Sequence, residues 1–547
     1  MRGSQVQVGI RHVVFLLGLL LGACSSNPLS GLFSTEGAAE EPPVSEVYPE
    51  NPPKVAASDS QQVSIEKTPK LPDGSTVGAT FVPEKSALGK ERAKLLVEMN
   101  KSLTMELPPA EFLSLLDADA IRVQNLSMFD AMALSLDYSN EVAASTAHRD
   151  TSEYLATASL GPLLPHVDVH HNSGRESSNP SSVTKLPNYD RQAHDIHHRT
   201  DSQLFIRQTL MDLPAYFERQ RQNLLLQAAE RSLDNTQERV AYDTLVSFLK
   251  LIELRMTVVM VESYETELKK LLEYMNNRVQ AGASSKADMQ RVKGRALNAM
   301  SAVIEARGAY DSGLVEFKRL TGVVPSSIVI PENLLPVLPG DFNTAMSTAI
   351  QNNYELQAAM RDMESVVQER RAMQGKYAPK FDIELSANRT YNAGGVAGSD
   401  PIPNSTLYPI QDDKRAMFVV SWNLLNGGAD VMQSKALESK RLEFEYRAKE
   451  IQRRLEQSLR INFNALRAVN GRIEGVKQEM ESNDIVLAAF KEQLFAANRS
   501  LLDVLDAYQR QYNSSTELTR LLIAEATTSL QMLRNMGKLQ EGIVALR

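Results

Sequence analysis

Two hydrophobic patterns dominate this chain, and the first has a period of two. Apolar and polar side chains alternate over residues 381–388, which predicts a β-strand with one apolar and one polar face. A partner strand follows at about residues 416–424, after a Gly-, Pro- and Asn-rich stretch that predicts an exposed loop. Similar runs around residues 167–169 and 204–210 predict an earlier strand pair. The four strands have the length needed to cross a bilayer obliquely.

The second pattern predicts very long helices. Residues 215–281 contain neither glycine nor proline, and residues 429–470 again contain neither. Apolar side chains within these stretches follow a heptad-like spacing, as at Leu245, Phe248 and Ile252, which is typical of coiled-coil packing. A helix of about 65 residues would extend roughly 100 Å, far more than an ordinary globular helix. Such a helix is long enough to span a compartment.

Landmarks in the first half of the chain recur 214 or 215 residues later. Residues 165–169, Pro-His-Val-Asp-Val, correspond to residues 379–383, Pro-Lys-Phe-Asp-Ile, and Gly322 corresponds to Gly537. Two copies of one unit are therefore predicted, each with the order helix, strand, loop, strand, long helix, turn, long helix. We expect the first unit at residues 120–323, a linker at 324–340, the second unit at 341–538 and a tail at 539–547.

The N-terminus predicts export. An apolar run from Val13 to Leu21 is too short for a permanent membrane helix and follows two arginines, so residues 1–23 are predicted to be a signal peptide. The run ends in Leu-Gly-Ala-Cys, which resembles the bacterial lipobox and implies acylation of Cys24, with Ser25 favouring the outer membrane. An incidental buried thiol is the alternative for Cys24. As the single cysteine, it leaves the exported chain without an internal disulfide.

Residues 24–110 are predicted to be a lipid-anchored extension. They are rich in Pro, Ser and Glu up to about residue 90, and their few periodic apolar residues cannot offset the chain entropy lost on folding. The formal net charge of −8, without a basic cluster, argues against nucleic-acid binding. Four strands cannot close a barrel, because their edges would lie unpaired in lipid, so a membrane-spanning form requires several chains.

Two motifs resemble a known family. Residues 424–428, Leu-Leu-Asn-Gly-Gly, stand at the second strand-to-helix junction, and residues 498–507, Asn-Arg-Ser-Leu-Leu-Asp-Val-Leu-Asp-Ala, stand at the far helical turn. With the tandem plan over residues 120–540, they resemble the TolC-like outer-membrane factors. The first copy departs from the pattern, since Leu213-Pro214 replaces the pair Gly427 and Gly428.

The resemblance implies a mainly α fold with a small β part. Tandem repeats of long helical hairpins, plus two membrane β-strands each, would form a trimeric 12-stranded β-barrel and an α-helical periplasmic tunnel. It also implies partners: a homotrimer in outer-membrane lipid, a periplasmic adaptor (a membrane fusion protein), and an inner-membrane ABC transporter or alternatively an RND pump. We expect no enzyme activity, because no phosphate-binding loop, nucleophile elbow or zinc protease motif occurs. Apart from the lipid on Cys24, no cofactor is expected.

The far turn contains the candidate functional residues. Asp503 and Asp506 are three residues apart and share one helix face. In the family, the matching aspartates line the closed periplasmic entrance, and Arg499 and Asp288 match positions whose polar contacts hold it shut. The resemblance therefore implies a periplasmic gate at these four residues. The alternative is that the charges only solvate a helix face.

Histidines concentrate near the first strand pair. They are His166, His170, His171, His194, His197 and His198. The i,i+4 spacing of His194 and His198 suits a transition metal on a helix, but no cysteine or catalytic glutamate accompanies them, so solvated loop histidines are favoured over a metal site.

Two kinds of export duct remain open. Residues 499–507 look most like the members that serve type I protein secretion, which we favour, whereas acylated members more often serve small-molecule efflux. A structural coiled-coil lipoprotein that spans the periplasm would explain the helices and Cys24, but not the amphipathic strands. A metal-binding surface protein would depend on the histidines alone.

Overall fold

The computed structural model describes residues 85–107, 122–177, 196–393, 410–495 and 500–544. The structural statements below concern these residues. The predicted signal peptide at 1–23, Cys24, His194 and the gate residue Arg499 lie outside them.

The described elements follow the same order in the two halves of the chain. The first half contains α1 (Lys85–Asn100), β1 (Thr104–Glu106), β2 (Arg122–Val123), α2 (Met128–Tyr138), α3 (Asn140–Ala158), β3 (His166–Ser177), β4 (Ile196–Met211), α4 (Leu213–Gln280) and α5 (Lys286–Thr321). The second half contains β5 (Val324–Pro325), β6 (Ser327–Val329), α6 (Phe342–Asn352), α7 (Tyr354–Gly375), β7 (Lys380–Ala393), β8 (Ile410–Ser421), α8 (Ala429–Phe495), α9 (Leu501–Asn535) and α10 (Leu539–Val544). Helix α6 begins 214 residues after α2, and strand β7 begins 214 residues after β3.

Helices α4 and α8 are 68 and 67 residues long. At 1.5 Å per residue each extends roughly 100 Å. Helix α8 continues through Gly471 and Gly475, which have open space around them and do not end the helix. The turn after α4 contains Gly282, whose φ of 69° lies in the left-handed region. A turn at this glycine agrees with the end of the glycine-free stretch in the sequence.

Strands β3, β4, β7 and β8 form one antiparallel sheet in that order. The last strand of the first half therefore pairs with the first strand of the second half, with Ile206 opposite Leu385. Strand β8 begins at Ile410 and ends at Ser421, so the predicted boundaries of 416–424 are wrong at both ends. The polar residues at 411–415 join the ladder opposite β7, and the chain leaves the sheet before the glycine pair at 427–428.

The principal core lies where the long helices meet the short elements. Its buried side chains include Leu96 of α1, Met105 of β1, Met132 of α2, Phe248 of α4, Phe317 of α5, Leu459 of α8, Leu522 of α9 and Leu539 of α10. Both halves of the chain thus contribute to a single core.

The predicted extension at 24–110 overlaps this core. Strand β1 pairs with β6, and Arg92 of α1 forms a buried ion pair with Glu525 of α9, with Nε and Oε2 3.3 Å apart. Residues 85–107 are therefore part of the folded unit. Sequence analysis did not predict α1 because Arg92 is buried among its apolar residues. A charged residue on the buried side weakens the hydrophobic periodicity of the helix.

The predicted linker and tail also contain ordered elements. Strands β5 and β6 lie in the linker region at 324–340, and helix α10 lies in the tail region at 539–547. The buried carboxylate of Glu238 accepts the backbone N–H groups of Leu539 and Gln540, both at 3.3 Å, at the start of α10. Burial raises the pKa of Glu238 to about 7.

Gly537 provides a test of the contact between the turn after α9 and the end of α6, both in the second half of the chain. It has φ 63°, and a Cβ placed there would lie 2.2 Å from the carbonyl oxygen of Asn352. We expect Gly537→Ala to lower the free energy of unfolding by more than about 1 kcal/mol. A positive φ is unfavourable for alanine, and the new methyl group would clash with the carbonyl oxygen of Asn352. The measurement is thermal unfolding followed by circular dichroism.

The matched control is Gly471→Ala, in the interior of α8 with no atom within 4 Å of the new Cβ. We expect it to be neutral or to stabilise by up to about 1 kcal/mol. Equal unfolding midpoints for the two variants would contradict this account.

Candidate functional site

The four-stranded sheet has two chemically different faces. Val167, Ile206 and Leu385 stand side by side in register on one face. Val167 and Leu385 are exposed, Ile206 is half-buried, and Val169 on the same face keeps 74% of its surface accessible. An apolar sheet face of this kind favours contact with lipid over contact with water.

The opposite face is made of polar pairs between strands. The Arg207 guanidinium lies 2.9 Å from Oε1 of Glu384, and the Thr209 hydroxyl donates to Asp382 at 2.9 Å. Such pairs satisfy polar groups that would otherwise be costly beside an apolar environment. This face therefore suits an aqueous interior.

The two strand-to-helix junctions use different chemistry. Gly427 and Gly428 have φ 55° and 79°, left-handed values that other residues adopt only with strain, so the second junction requires its glycine pair. At the first junction, Asp212 caps helix α4 by accepting the Ala215 N–H at 3.0 Å, and Pro214 stands in the first turn. The proline is therefore compatible with the turn.

The side chain of Trp422 lies beside the second junction. It keeps 58% of its surface exposed, and its Nε1–H donates to the carbonyl oxygen of Tyr377 at 3.0 Å. An exposed indole with one satisfied donor is typical of residues at a membrane interface.

The long helices pack as a row in the order α5, α4, α9, α8. Apolar side chains remain exposed on both end helices. Leu297, Met300 and Ile304 form a stripe on α5, and Ile461 and Ile485 are exposed on α8. The exposed apolar stripe at one end of the row and the exposed isoleucines at the other predict that further helices cover these surfaces.

The far ends of the two helical hairpins share a second core. Leu271 and Met275 of α4 and Val292 of α5 pack with Leu494 of α8 and Val504 of α9. The described helix ends beside the two predicted gate turns are thus joined by apolar contacts within one chain.

Three of the four predicted gate residues, Asp288, Asp503 and Asp506, occupy this end of the structure, and Arg499 lies outside the described residues. Asp288 lies in the first turn of α5, where its N–H donates to Ser285 Oγ at 3.1 Å and its carboxylate pairs with Arg291 at 3.2 Å. Asp503 is in the first turn of α9, and Asp506 is exposed one turn later, on the side opposite the buried Val504. Carboxylates in the first turn of a helix also interact favourably with the helix dipole. These positions are therefore compatible with a gate and equally with charges that only solvate a helix face.

A cavity of about 290 Å³ brings the two turns together. Its lining residues are Met275, Arg278, Ser284, Asp288, Arg291, Leu494, Ser500, Leu501 and Leu502. The structure therefore places Asp288 beside the residues that directly precede Asp503 in sequence.

Sequence reasoning missed a polar contact between the hairpins. Lys491 of α8 lies 2.9 Å from Glu267 of α4, which also accepts the Tyr508 hydroxyl of α9 at 3.1 Å. The ammonium of Lys491 stacks over the Tyr508 ring, 4.6 Å from its centroid. Hydrogen bonds from Lys270 and Lys491 lower the pKa of Glu267 to about 2, so this carboxylate is ionised at neutral pH.

The histidines show no metal-binding arrangement within the described residues. His171 Nδ1 contacts Ser202 Oγ at 2.9 Å, and His198 lies in strand β4, so the helical spacing considered for it does not apply. No group of three His, Cys, Asp or Glu side chains suited to a metal ion occurs in the described ranges. None of the described helices combines the length and the apolar content that a membrane span needs.

Two proteins of known sequence resemble the chain over about three quarters of its length. The outer membrane protein TolC of Escherichia coli is 20% identical over 409 residues, which cover 73% of this chain and 80% of TolC. The alkaline protease secretion protein AprF of Pseudomonas aeruginosa is 20% identical over 417 residues, covering 75% and 83%. No protein-family model matches the chain.

Solved structures show the same fold. The outer membrane protein VceC of Vibrio cholerae has a TM-score of 0.62 at 14% identity, covering 75% of this chain and 96% of VceC. The outer-membrane channel CmeC of Campylobacter jejuni has a TM-score of 0.62 at 12% identity, covering 75% and 86%. The fold is therefore that of the outer-membrane channel proteins. The chain is therefore similar in sequence and in fold to the TolC-like outer-membrane factors.

The gate hypothesis predicts a change in cation block. We expect the double variant Asp503→Ala, Asp506→Ala to need about tenfold or more multivalent cation for half-block of conductance in planar bilayers, because hard cations bind carboxylate oxygens. The control is Asp484→Ala, which removes an exposed carboxylate from α8. Unchanged block in the double variant would exclude both aspartates from the constriction.

The contact between the hairpins can be tested separately. We expect Lys491→Ala to speed amide hydrogen exchange at the ends of α4 and α8 roughly fivefold, since a partly exposed charged pair contributes about 1 kcal/mol. Lys270→Ala is the matched control, because Lys270 binds the same carboxylate from within α4, at 2.9 Å. Faster exchange in both variants alike would mean that Lys491 does not join the hairpins.

Proposed function

We propose that this chain is the outer-membrane channel-tunnel of a tripartite exporter. In this proposal it passes substrate from an inner-membrane pump and a periplasmic adaptor to the exterior. The observation that carries the proposal is the sheet with one apolar and one polar face, joined directly to helices of 67 and 68 residues. A coiled-coil spacer lipoprotein would need the helices but not this sheet.

The channel is a homotrimer. Strands β3 and β8 are the outer strands of the sheet, and α5 and α8 are the outer helices of the row. In a ring, β8 of one copy pairs with β3 of the next, and α8 of one copy packs against α5 of the next. The rotation that pairs the open strand edges therefore also covers the exposed apolar side chains of the end helices. Three copies of four strands give a 12-stranded barrel above a helical tunnel, in agreement with the family resemblance.

The polar pairs between strands face the water-filled interior, and the apolar face contacts lipid. At the opposite end, the turns that contain Asp288, Asp503 and Asp506 form the periplasmic entrance. The second core and the pair of Glu267 and Lys491 hold the two hairpins of one copy together. The adaptor must therefore bind the open form more tightly than the closed form by a free energy comparable to these contacts.

Type I protein secretion is the favoured branch. AprF is named for the secretion of an alkaline protease, and residues 499–507 resemble the type I members of the family. The pump would then be an ABC transporter. Small-molecule efflux with an RND pump is the alternative, supported by the lipobox at Cys24, whose acylation would anchor the chain to the outer membrane.

The absence of an enzymatic role follows from the same assignment. A channel needs no catalytic group or cofactor, because the pump supplies the energy for transport. Within the proposal, the lipid on Cys24 is the one attached non-protein group.

A deletion strain distinguishes the two branches. We expect loss of the chain to remove one or a few large proteins from the culture medium, with tolerance to dyes, detergents and antibiotics unchanged. Quantitative proteomics of the medium and drug sensitivities are measured in the same cultures, and the native gene on a plasmid serves as the control. An unchanged medium with new hypersensitivity would mean small-molecule efflux instead.

A further inference from the structure

The apolar face of the sheet changes character along its strands. Near the helices it is formed by rows such as Phe381 with Val420 and, further along, Val167 with Ile206 and Leu385. Several successive cross-strand rows of this face contain no charged side chain. A lipid-facing surface has this composition where it meets acyl chains.

Toward the loop ends, the same face becomes cationic. Lys414 stands in the row of Leu204 and Ala387, Arg389 stands in the next row, and Arg175 lies beyond them. Of the described side chains on this face, three cations therefore accompany a single carboxylate, that of Asp412, whose Oδ1 lies 3.7 Å from Arg389 Nε. The face keeps a net positive charge at this level.

Two cations of the opposite face, in contrast, are neutralised by carboxylates on neighbouring strands or residues. Arg199 pairs with Glu176 at 2.8 Å, and Arg207 pairs with Glu384 at 2.9 Å. Lys414 is exposed and makes no ion pair with another described residue. An unneutralised lysine at the border of an apolar surface is a suitable site for an anion.

A shallow cavity of about 220 Å³ lies where the apolar and cationic rows meet. The side chains of the apolar face that line it are Val169, Leu204, Ala387, Ser202, Arg389, Asp412 and Lys414. One wall is apolar and the other provides an ammonium and a guanidinium. This combination fits a molecule with a hydrocarbon chain and an anionic head group.

We propose that this cavity, together with Lys414 and Arg389, binds the phosphate group of a membrane lipid in the leaflet at the loop ends of the strands. The inference rests on the proposed function, which makes this face the lipid-facing one. The acyl chain lies along the apolar rows, and the phosphate contacts the two cations.

The test uses the purified full-length chain in nanodiscs of phosphatidylcholine that contain a minor fraction of bisphosphorylated lipid A. Native mass spectrometry measures how tightly the lipid A is retained by the native chain, by Lys414→Gln and by the double variant Arg389→Gln, Lys414→Gln. We expect about fivefold weaker retention in the single variant and about 30-fold in the double variant, because each cation near an anionic lipid surface contributes roughly a factor of five.

Arg415→Gln is the matched control. It removes one cation from the adjacent position of β8, whose side chain lies on the opposite face of the sheet. We expect native retention in this variant. Equal retention in the native chain and in the double variant would overturn the proposal. It would also be overturned if Arg415→Gln weakened retention as much as Lys414→Gln, because net charge would then explain the effect.

Conductance of the same preparations in planar bilayers separates this proposal from the proposed function. A native chain that conducts but retains no lipid A would refute the lipid site and leave the channel intact. A chain that neither enters bilayers nor conducts would refute both.

Discussion

A β-strand in lipid must pair along both edges, because hydrocarbon offers no partner to an open N–H or C=O group. The sheet of this chain has four strands and two open edges, at β3 and β8. The apolar face can contact lipid while the polar face contacts water only if further copies of the chain pair with these edges and close a ring of strands. In the proposed channel, the direction of each face and the presence of an interior follow from this one requirement.

The same closure extends into the helices. Strand β4 leads into α4 through the cap at Asp212, and β8 leads into α8 through Gly427 and Gly428, so a ring of strands continues as a ring of helices. In the proposed channel, a neighbouring copy covers the apolar side chains that are exposed on the two end helices of each row. The pairs around Glu267 act inside one copy and hold its two hairpins together far from the sheet. In the proposed channel, the contacts that control the periplasmic entrance therefore lie apart from those that close the barrel.

Much of this fold could be predicted from sequence, because its strongest signals are local or periodic. Alternation over residues 381–388 predicted β7, and the absence of glycine and proline over residues 215–281 predicted α4. The β8 boundaries were wrong because polar residues at 411–415 pair through their backbone, which hydrophobic alternation cannot reveal. Helix α1 was missed because its burial depends on partners far along the chain, including Glu525.

The candidate site was less predictable for a related reason. Asp288, Asp503 and Asp506 were identified through a motif, and their helical positions follow from nearby serine caps. The pair of Glu267 and Lys491 spans 224 residues, which is not the repeat offset, so self-comparison of the sequence could not find it. The cationic edge of the sheet required the register of four strands. Lys414 and Arg389 belong to different strands, and only cross-strand pairing brings them to one face.

Native mass spectrometry of the full-length chain, extracted from membranes in mild detergent, tests the central claim most directly. The account predicts a single assembly with three times the mass of the mature chain, stable at high dilution because both strand edges and helix stripes are buried. A monomer or a dimer as the dominant species would contradict the closure on which the account depends.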